Sequence, residues 1–417
     1  MKFEKIVKGG LAALMAMSMA ACSGSSSSAA STSAPADGTA ASAAPAADAG
    51  TAPAAKGAFK LGGSGPLSGG AAVYGNAVKN AAELAVAEIN AKGGIQFELN
   101  MQDDEHDAEK AVNAYNALKD WGMQVSLATV TSAPGAAVAP LYAEDQTFAI
   151  TPSGSSLAVI YADSTNQSGA YGNVFQMCFT DPNQGVASAD YLSTHKDLGS
   201  KVAIIYKNDD NYSTGIYEKF TAEAQAKGLE VVYSGTFAGE DNDFNVQLAK
   251  AQEAGADILF LPIYYQPAST ILKQASEMGY KPTVFGVDGM DGILSMEGFD
   301  TKLAEGVYLL TPFSADATDD LTKNFVNNYK AKYGDVPNQF AADAYDAVYA
   351  IAQGLEAAGA TADMSNADIC KALVGQFTSM TFNGLTGADV TWNANGEVSK
   401  APKAVVIQNG VYVGVEG

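Results

Sequence analysis

The sequence predicts an α/β protein built on parallel strands and divided into two lobes, on three observations. Short apolar runs rich in Val, Ile, Leu and Phe alternate with longer amphipathic stretches from Phe59 to Tyr265, the rhythm of strand–helix–strand units. Two of these runs end in hydroxyl-rich turns, VSLATV in TSAP and TFAI in TPSGSS, and ligands of open parallel sheets gather at the carboxyl ends of strands. About 360 residues follow the N-terminal tail, more than one hydrophobic core usually serves.

In the tail, Lys2, Lys5 and Lys8 precede an apolar run from Gly9 to Met19, and Ala20 and Ala21 lead to Cys22. This is the order of an export signal over residues 1–21, and the run is far short of the ~20 residues of a spanning helix. Met19-Ala20-Ala21-Cys22 resembles the lipobox of bacterial lipoproteins. That resemblance implies cleavage before Cys22 and a lipid on its sulfur, holding the protein to the membrane outside the cytoplasm. Residues 22–57 are almost entirely Ala, Ser, Pro, Gly and Thr after the cysteine, a flexible tether with a reach on the order of 30 Å.

Composition narrows the partners. A net charge of −22 argues against nucleic acid and anionic lipid surfaces. All 24 basic residues are lysine, so no guanidinium clamp is available for a carboxylate or phosphate. Cys178 and Cys370 lie far apart; a disulfide is open to an exported protein but not established by spacing, and both read as free, buried thiols.

Taken in order, FKLGGSG (Phe59 to Gly65) is a strand, followed through a Gly-rich turn by a helix that Gly93-Gly94 ends. Gly63-Ser64-Gly65 lacks the third glycine of a dinucleotide fingerprint, and Pro66 sits where its tight turn belongs. Phe97 to Gln102 is the next strand. The cluster Asp103, Asp104, Glu105, His106, Asp107 then opens a helix; adjacent residues do not face one centre and no second histidine lies at ligand spacing, so strand-end and capping roles are expected rather than a metal. Val125 to Tyr142 reads as a buried strand turning into a helix, with Ser132 as N-cap, Pro134 in the first turn and Pro140 forcing a kink or a short helix. Such a helix start attracts anions. Thr147 to Ile150 runs into Thr151–Ser156, a second hydroxyl turn at the same sheet end. The alternation continues through Lys201–Tyr206, a helix from near Gly215 to Lys227, VVYSGTF, a helix from near Asp243, and Ala256–Tyr265. Residues after Thr386 read as a closing β-ribbon with an Asn395-Gly396 turn.

GPLSGGAAVYG, AVAEINAKGGI, Asp103-Asp104, ITPSGSS, DNYSTG, FGVDGMDG and NYKAKYGDVPNQFAADAYDAV occur in the order and spacing of a known family. Over residues 58 to about 415 the chain resembles the branched-chain amino acid type of ABC-transporter solute-binding protein, the type I periplasmic binding protein fold. The resemblance implies two Rossmann-like lobes with parallel sheets joined by three crossing segments, residues 58–180 and 309–382 forming lobe one, 181–308 and 383–417 lobe two. It places a ligand carboxylate on Ser132 and Ser155, with backbone groups of Val130 and Ser153, and an ammonium on Asp288 with the Ser153 carbonyl. Tyr74, Tyr212 and Tyr264 match cleft aromatics, with Tyr265 an alternative to Tyr264, and Asp181 matches a lobe-crossing acid. Read without the family, Asp288 before Gly289 is an ordinary turn acid and Asp291 an alternative acceptor.

The function expected is capture of a small aliphatic amino acid by hinge closure in a monomeric, lipid-anchored protein that hands it to ABC permease and ATPase subunits. The alternative is the same fold as a sensory or accessory lipoprotein, or a binder of amides, short peptides or other small solutes. Enzymatic chemistry is not expected: His106 and His195 are the histidines, no G-x-S-x-G or H-E-x-x-H motif occurs, and no cofactor or metal is implied.

Overall fold

Apolar strands and amphipathic helices alternate into two parallel sheets over residues 57–415, the part of the chain that the computed structural model describes. The expected export signal, Cys22 and nearly all of the tether lie outside the described residues. The first sheet is built from β1 (Phe59–Gly65), α1 (Ala72–Lys92), β2 (Phe97–Asp103), α2 (Ala108–Trp121), β3 (Val125–Thr129), α3 (Ser132–Glu144) and β4 (Phe148–Thr151). A short antiparallel pair, β5 (Tyr161–Asp163) and β6 (Ser168–Ala170), precedes its last strand, β7 (Val174–Gln176). The second lobe begins with α4 (Asp181–Thr194), β8 (Lys201–Lys207), α5 (Asn211–Lys227), β9 (Glu230–Phe237) and α6 (Asn245–Glu253). It continues with β10 (Ile258–Leu261), α7 (Tyr265–Met278), β11 (Thr283–Gly286) and β12 (Tyr308–Thr311). Helices α8 (Asp320–Tyr333), α9 (Gln339–Ala357) and α10 (Asn366–Phe377) return to lobe one, and β13 (Lys403–Gln408) with β14 (Val411–Gly414) completes lobe two.

The strand orders are β2-β1-β3-β4-β7 and β14-β13-β12-β11-β10-β8-β9, with only β13 and β14 antiparallel to their neighbours in the second. The parallel parts repeat one doubly wound order, whose crevice opens where the winding reverses, beside the first strand of each sheet. Burial on both faces explains the near-continuous apolar strands. In lobe two, Val202, Ile204, Ile258 and Phe260 face α4 and α5, while Ala203, Ile205, Leu259 and Leu261 belong to the core that includes Leu248 of α6 and Ile271 of α7. Side chains alternate between faces along a strand, so each residue step changes the layer served.

The strand pairing draws the lobe boundaries at other residues than 309 and 383. Tyr308 and Leu309 pair with Phe285 and Gly286, and Leu310 with Ala404, so the second crossing follows Thr311. Residues 383–398 stay with lobe one: Gln176 N–H donates to the Gly396 carbonyl at 2.9 Å, and Trp392 Nε1 donates to the Gln176 carbonyl at 2.8 Å. The expected closing ribbon is therefore two pieces. Bridges Phe382–Val390 and Trp392–Val398 lie on lobe one, and the β13–β14 hairpin lies in lobe two. Its turn is Asn409-Gly410, with φ of 53° and 74°, the paired positive angles that a two-residue hairpin turn favours. Between the pieces, Lys400 Nζ donates to Asp343 Oδ1 of α9 at 2.5 Å, with both side chains almost fully buried.

Helix α3 runs unbroken through Pro140 instead of kinking or stopping there. Pro140 is exposed, so the Ala136 carbonyl left without a helical donor lies on the side that water reaches. Strand β10 is shorter than the run from Ala256 to Tyr265, because Pro262 interrupts it and Tyr265 already begins α7. Cys178 and Cys370 are buried and unpaired.

Candidate ligand-binding site between the lobes

The carboxyl ends of β1, β3 and β4 in one sheet and of β8, β10 and β11 in the other carry the polar residues that the sequence singled out. On lobe one the site begins with a bulge. The β1–β3 register shifts between Gly62 and Ser64, Ala128 adopts φ of 48°, and its N–H donates to Ser126 Oγ at 2.9 Å. An extra residue in one strand bends it and re-aims the residues beyond the bulge, here Val130, Thr131 and Ser132. Ser132 is not the N-cap of α3. Thr131 holds that position, no side chain caps the helix, and Thr131 Oγ1 lies 2.9 Å from His106 Nδ1 instead. Ser132 is the first helical residue, and its Oγ accepts from Ser156 N–H at 3.2 Å.

The second hydroxyl turn is tied to the first. Ser153 Oγ donates to the Val130 carbonyl at 2.6 Å, Thr151 Oγ1 donates to the Thr129 carbonyl at 2.6 Å, and Gly154 N–H donates to Thr151 Oγ1 at 2.7 Å. Gln176 Nε2 closes the loop on the carbonyls of Gly154 and Ser156 at 2.8 and 3.2 Å. The protein alone therefore holds the turn in place. Next to it, Asp181 N–H donates to the Ser155 carbonyl at 3.0 Å where the chain first crosses to lobe two.

Lobe two contributes Asp288, in a 3-10 turn after β11. Its Oδ1 accepts from Tyr212 Oη at 2.6 Å, and the same hydroxyl accepts from Gly289 N–H at 2.8 Å. Burial pushes the Asp288 carboxyl up to about 7, against the bond from Tyr212. Gln184 Oε1 accepts from Asp288 N–H at 3.2 Å. Tyr74 of lobe one reaches across: its hydroxyl donates to the Gly289 carbonyl and accepts from Tyr265 N–H at 3.2 Å. Tyr264 packs tilted on Tyr212 at 4.8 Å and edge-on to Tyr74 and His106, each at 5.4 Å. Tyr265 also packs edge-on with Tyr74, at 4.9 Å, and its hydroxyl accepts from Val73 N–H at 3.4 Å. A cavity of about 510 Å³ opens beside Tyr264, bordered by His106 and Gly70 of lobe one and Asp210 of lobe two.

Several buried side chains here hold polar atoms with no partner in the protein, among them Ser155 Oγ, both oxygens of Asp181 and Nε2 of Gln184. Buried polar groups are rarely left so. Burial raises the Asp181 carboxyl well above the usual range, with Asp288 and Asp210 adding to the rise. The acid cluster of β2 has the roles expected of it. Asp103 accepts from Leu67 N–H, Ser68 Oγ and Glu105 N–H, Asp104 from Ser64 Oγ at 2.8 Å and His106 N–H, and Asp107 caps α2. Asp291, the alternative acceptor, already receives Gln339 N–H on Oδ2 at 2.9 Å. Sequence reasoning missed Gln184 and Gln339; single glutamines in helical stretches carry no local signal.

The residues brought together are therefore hydroxyls and an uncapped helix start on one side, and carboxylates backed by tyrosines on the other. That arrangement offers donors to an anion on one lobe and acceptors to a cation on the other, with aromatic rings beside the acceptors. The chain matches the family model described as periplasmic binding protein over residues 58–410. It is 30% identical over 328 residues to Leu/Ile/Val-binding protein homolog 3 of Brucella melitensis, covering 77% of this chain and 84% of that one. It is 27% identical over 305 residues to a leucine-, isoleucine-, valine-, threonine- and alanine-binding protein of Pseudomonas aeruginosa, covering 72% of this chain and 78% of the relative. The crystal structure of the branched-chain amino acid transporter substrate binding protein LivJ of Streptococcus pneumoniae, in complex with isoleucine, superposes with a TM-score of 0.75 at 27% identity, over 85% of this chain and 98% of that one. Fold and sequence agree: the chain belongs to the periplasmic binding proteins, a family of solute carriers and not of enzymes.

Proposed function

We propose that this protein captures a small amino acid of the branched-chain type between its lobes and delivers it to the permease and ATPase subunits of an ABC importer. Ser132, Ser155 and main-chain groups at Val130 and Ser153 receive the carboxylate. Asp288, oriented by Tyr212, receives the ammonium, and Asp181 faces the same space. Tyr74 and Tyr264 form the walls. The observation that carries this reading is the pairing of unpartnered Ser155 and Asp181 atoms with Asp288 in one buried interlobe site. A zwitterion answers both sets of groups, whereas either charge buried alone is costly. The names of the relatives support the aliphatic class. Family membership places the chain outside the cytoplasm, and no helix among the described residues is long and apolar enough to cross a membrane. A lipid on Cys22 supplies the anchor in this reading, and the protein works as a monomer.

The test is a thermal-shift screen of the purified protein against all amino acids. Leucine, isoleucine or valine is expected to raise the melting temperature most; a response confined to amides, peptides or aromatic acids rejects the aliphatic assignment.

Binding and folding should respond to pH with opposite signs. Asp288 and Asp291 have carboxyls raised by burial to about 7 and about 6. In the ligand-free protein such groups bind more protons folded than unfolded, so their stabilising contribution is full below about pH 4 and is lost as pH rises towards 7. Ligand capture needs ionised Asp288, so affinity should rise across the upper part of that window. Titration calorimetry and urea melts of the ligand-free protein between pH 5 and 8 check both slopes.

A further inference from the structure

We infer that Gln339 and Asp291 form a latch across the lobes, positioning Asp288 and setting how firmly the closed form is held, without themselves contacting the ligand. Helix α9 of lobe one starts at Gln339. Its N-cap, Asn338, accepts from Ala341 N–H, at 3.1 Å. The N–H of Gln339 at the first helical position is taken by lobe two: Asp291 Oδ2 accepts it at 2.9 Å. Gln339 Nε2 extends to the carbonyl of Asp288, also at 2.9 Å. One residue of lobe one thus grips two residues of the 3-10 turn that carries the proposed ammonium acceptor. That turn is closed on itself by Asp291 N–H donating to the Asp288 carbonyl at 2.8 Å.

The grip is dry and charge-assisted. Asp288, Asp291 and Gln339 are 3%, 4% and 2% exposed, and the other oxygen of Asp291 has no partner. A carboxylate at the start of a helix meets the positive end of its dipole and shortens the bond it accepts. The helix here has 19 residues, most of them buried in lobe one, so its end cannot shift without disturbing a core.

These bonds join residues on opposite lobes, so they form on closure and break on opening. They therefore enter the closing equilibrium, and apparent affinity scales with the fraction of protein able to close. Weakening them lowers affinity for every ligand by one factor. A residue that touches the ligand's variable side chain instead changes the order of preference, and one that touches only the shared ammonium leaves the lobe separation of the ligand-free protein unchanged. The inference rests on the hinge closure in the proposed function, but the lobe separation can be read without a ligand.

The experiment uses Asp291→Asn, which keeps the shape and removes the charge, and Gln339→Met, which removes only the Nε2 bond. Dissociation constants and dissociation rates are measured for every amino acid that the wild type binds, and lobe separation is measured in the ligand-free proteins with one spin label on each lobe. Asp291→Asn is expected to weaken all ligands equally, by about 3- to 30-fold, mostly through faster dissociation, and to widen the label distances. Gln339→Met should act in the same direction by less, and it carries the test if Asp291→Asn does not fold. Unequal losses assign Asp291 to the ligand and overturn the latch. Unchanged affinities overturn it too. If the wild type binds no amino acid, the proposed function fails on its own, and the label distances decide the latch: identical distributions in wild type and variants overturn it.

Discussion

Asp288→Ala is expected to weaken amino-acid binding by about 2–5 kcal/mol, the range for truncating one partner of a buried, hydrogen-bonded charge pair. The carboxylate is 3% exposed and accepts from Tyr212 Oη at 2.6 Å. Alanine would leave both that hydroxyl and the ligand ammonium without an acceptor, and water has little room to replace it. Calorimetric titration measures the effect directly. Asp181, whose two oxygens have no protein partner, gives the contrast: an affinity untouched by Asp288→Ala and abolished by Asp181→Ala would move the ammonium to Asp181 and reject its assignment to Asp288.

Lys400→Ala should cost about 3–5 kcal/mol of folding free energy, because it strands a buried carboxylate. Lys400 and Asp343 side chains are 1% and 2% exposed and 2.5 Å apart. Burial already holds Asp343 up to about 6 despite that lysine. The neighbouring Asp346 offers no replacement for the lysine, being a second carboxylate that itself accepts from Leu385 N–H at 2.8 Å, Thr386 N–H at 2.9 Å and Thr386 Oγ1 at 2.6 Å and only repels Asp343. Urea denaturation should show a lower midpoint for Lys400→Ala. The double replacement Lys400→Met with Asp343→Leu should recover much of the loss, since a well-packed apolar pair avoids desolvating two charges. A single variant as stable as wild type would mean that the pair contributes nothing to holding the last crossing segment.

The strands and helices were legible because their periodicities are local. Leu259 and Leu261 against Ile258 and Phe260, or the Gly93 that ends α1, can be read from a few neighbours. Which sheet a strand joins is not local. YLLT at Tyr308–Thr311 looks the same whether it pairs with β4 or β11, and this put the expected crossing three residues early. The cap of α3 failed for a similar reason: Thr131 and Ser132 are equally good caps in sequence, and His106, 25 residues away, engages Thr131 and fixes which residue opens the helix. Asn409-Gly410, by contrast, carries a plain local hairpin signal that was missed beside Asn395-Gly396. In the site, the hydroxyl turns were legible from chemistry, Asp288 and the tyrosines only through the family pattern, and Gln184 and Gln339 through neither, because an amide acquires its role from partners that sequence does not place beside it.

The interleaving of the two lobes along the chain bears on how the molecule is made. Emerging amino end first, β1 to β7 would complete their pairing while α9 and α10, which lie against β3 and β4, are still more than 160 residues behind. The second sheet in turn waits for β13, near the carboxyl terminus, to cover its β12 edge. Neither half can finish as an independent unit during synthesis, so productive folding is deferred until the segment from α9 to β13 has been made. Shortening the protein by its last few strands should unravel far more than the piece removed.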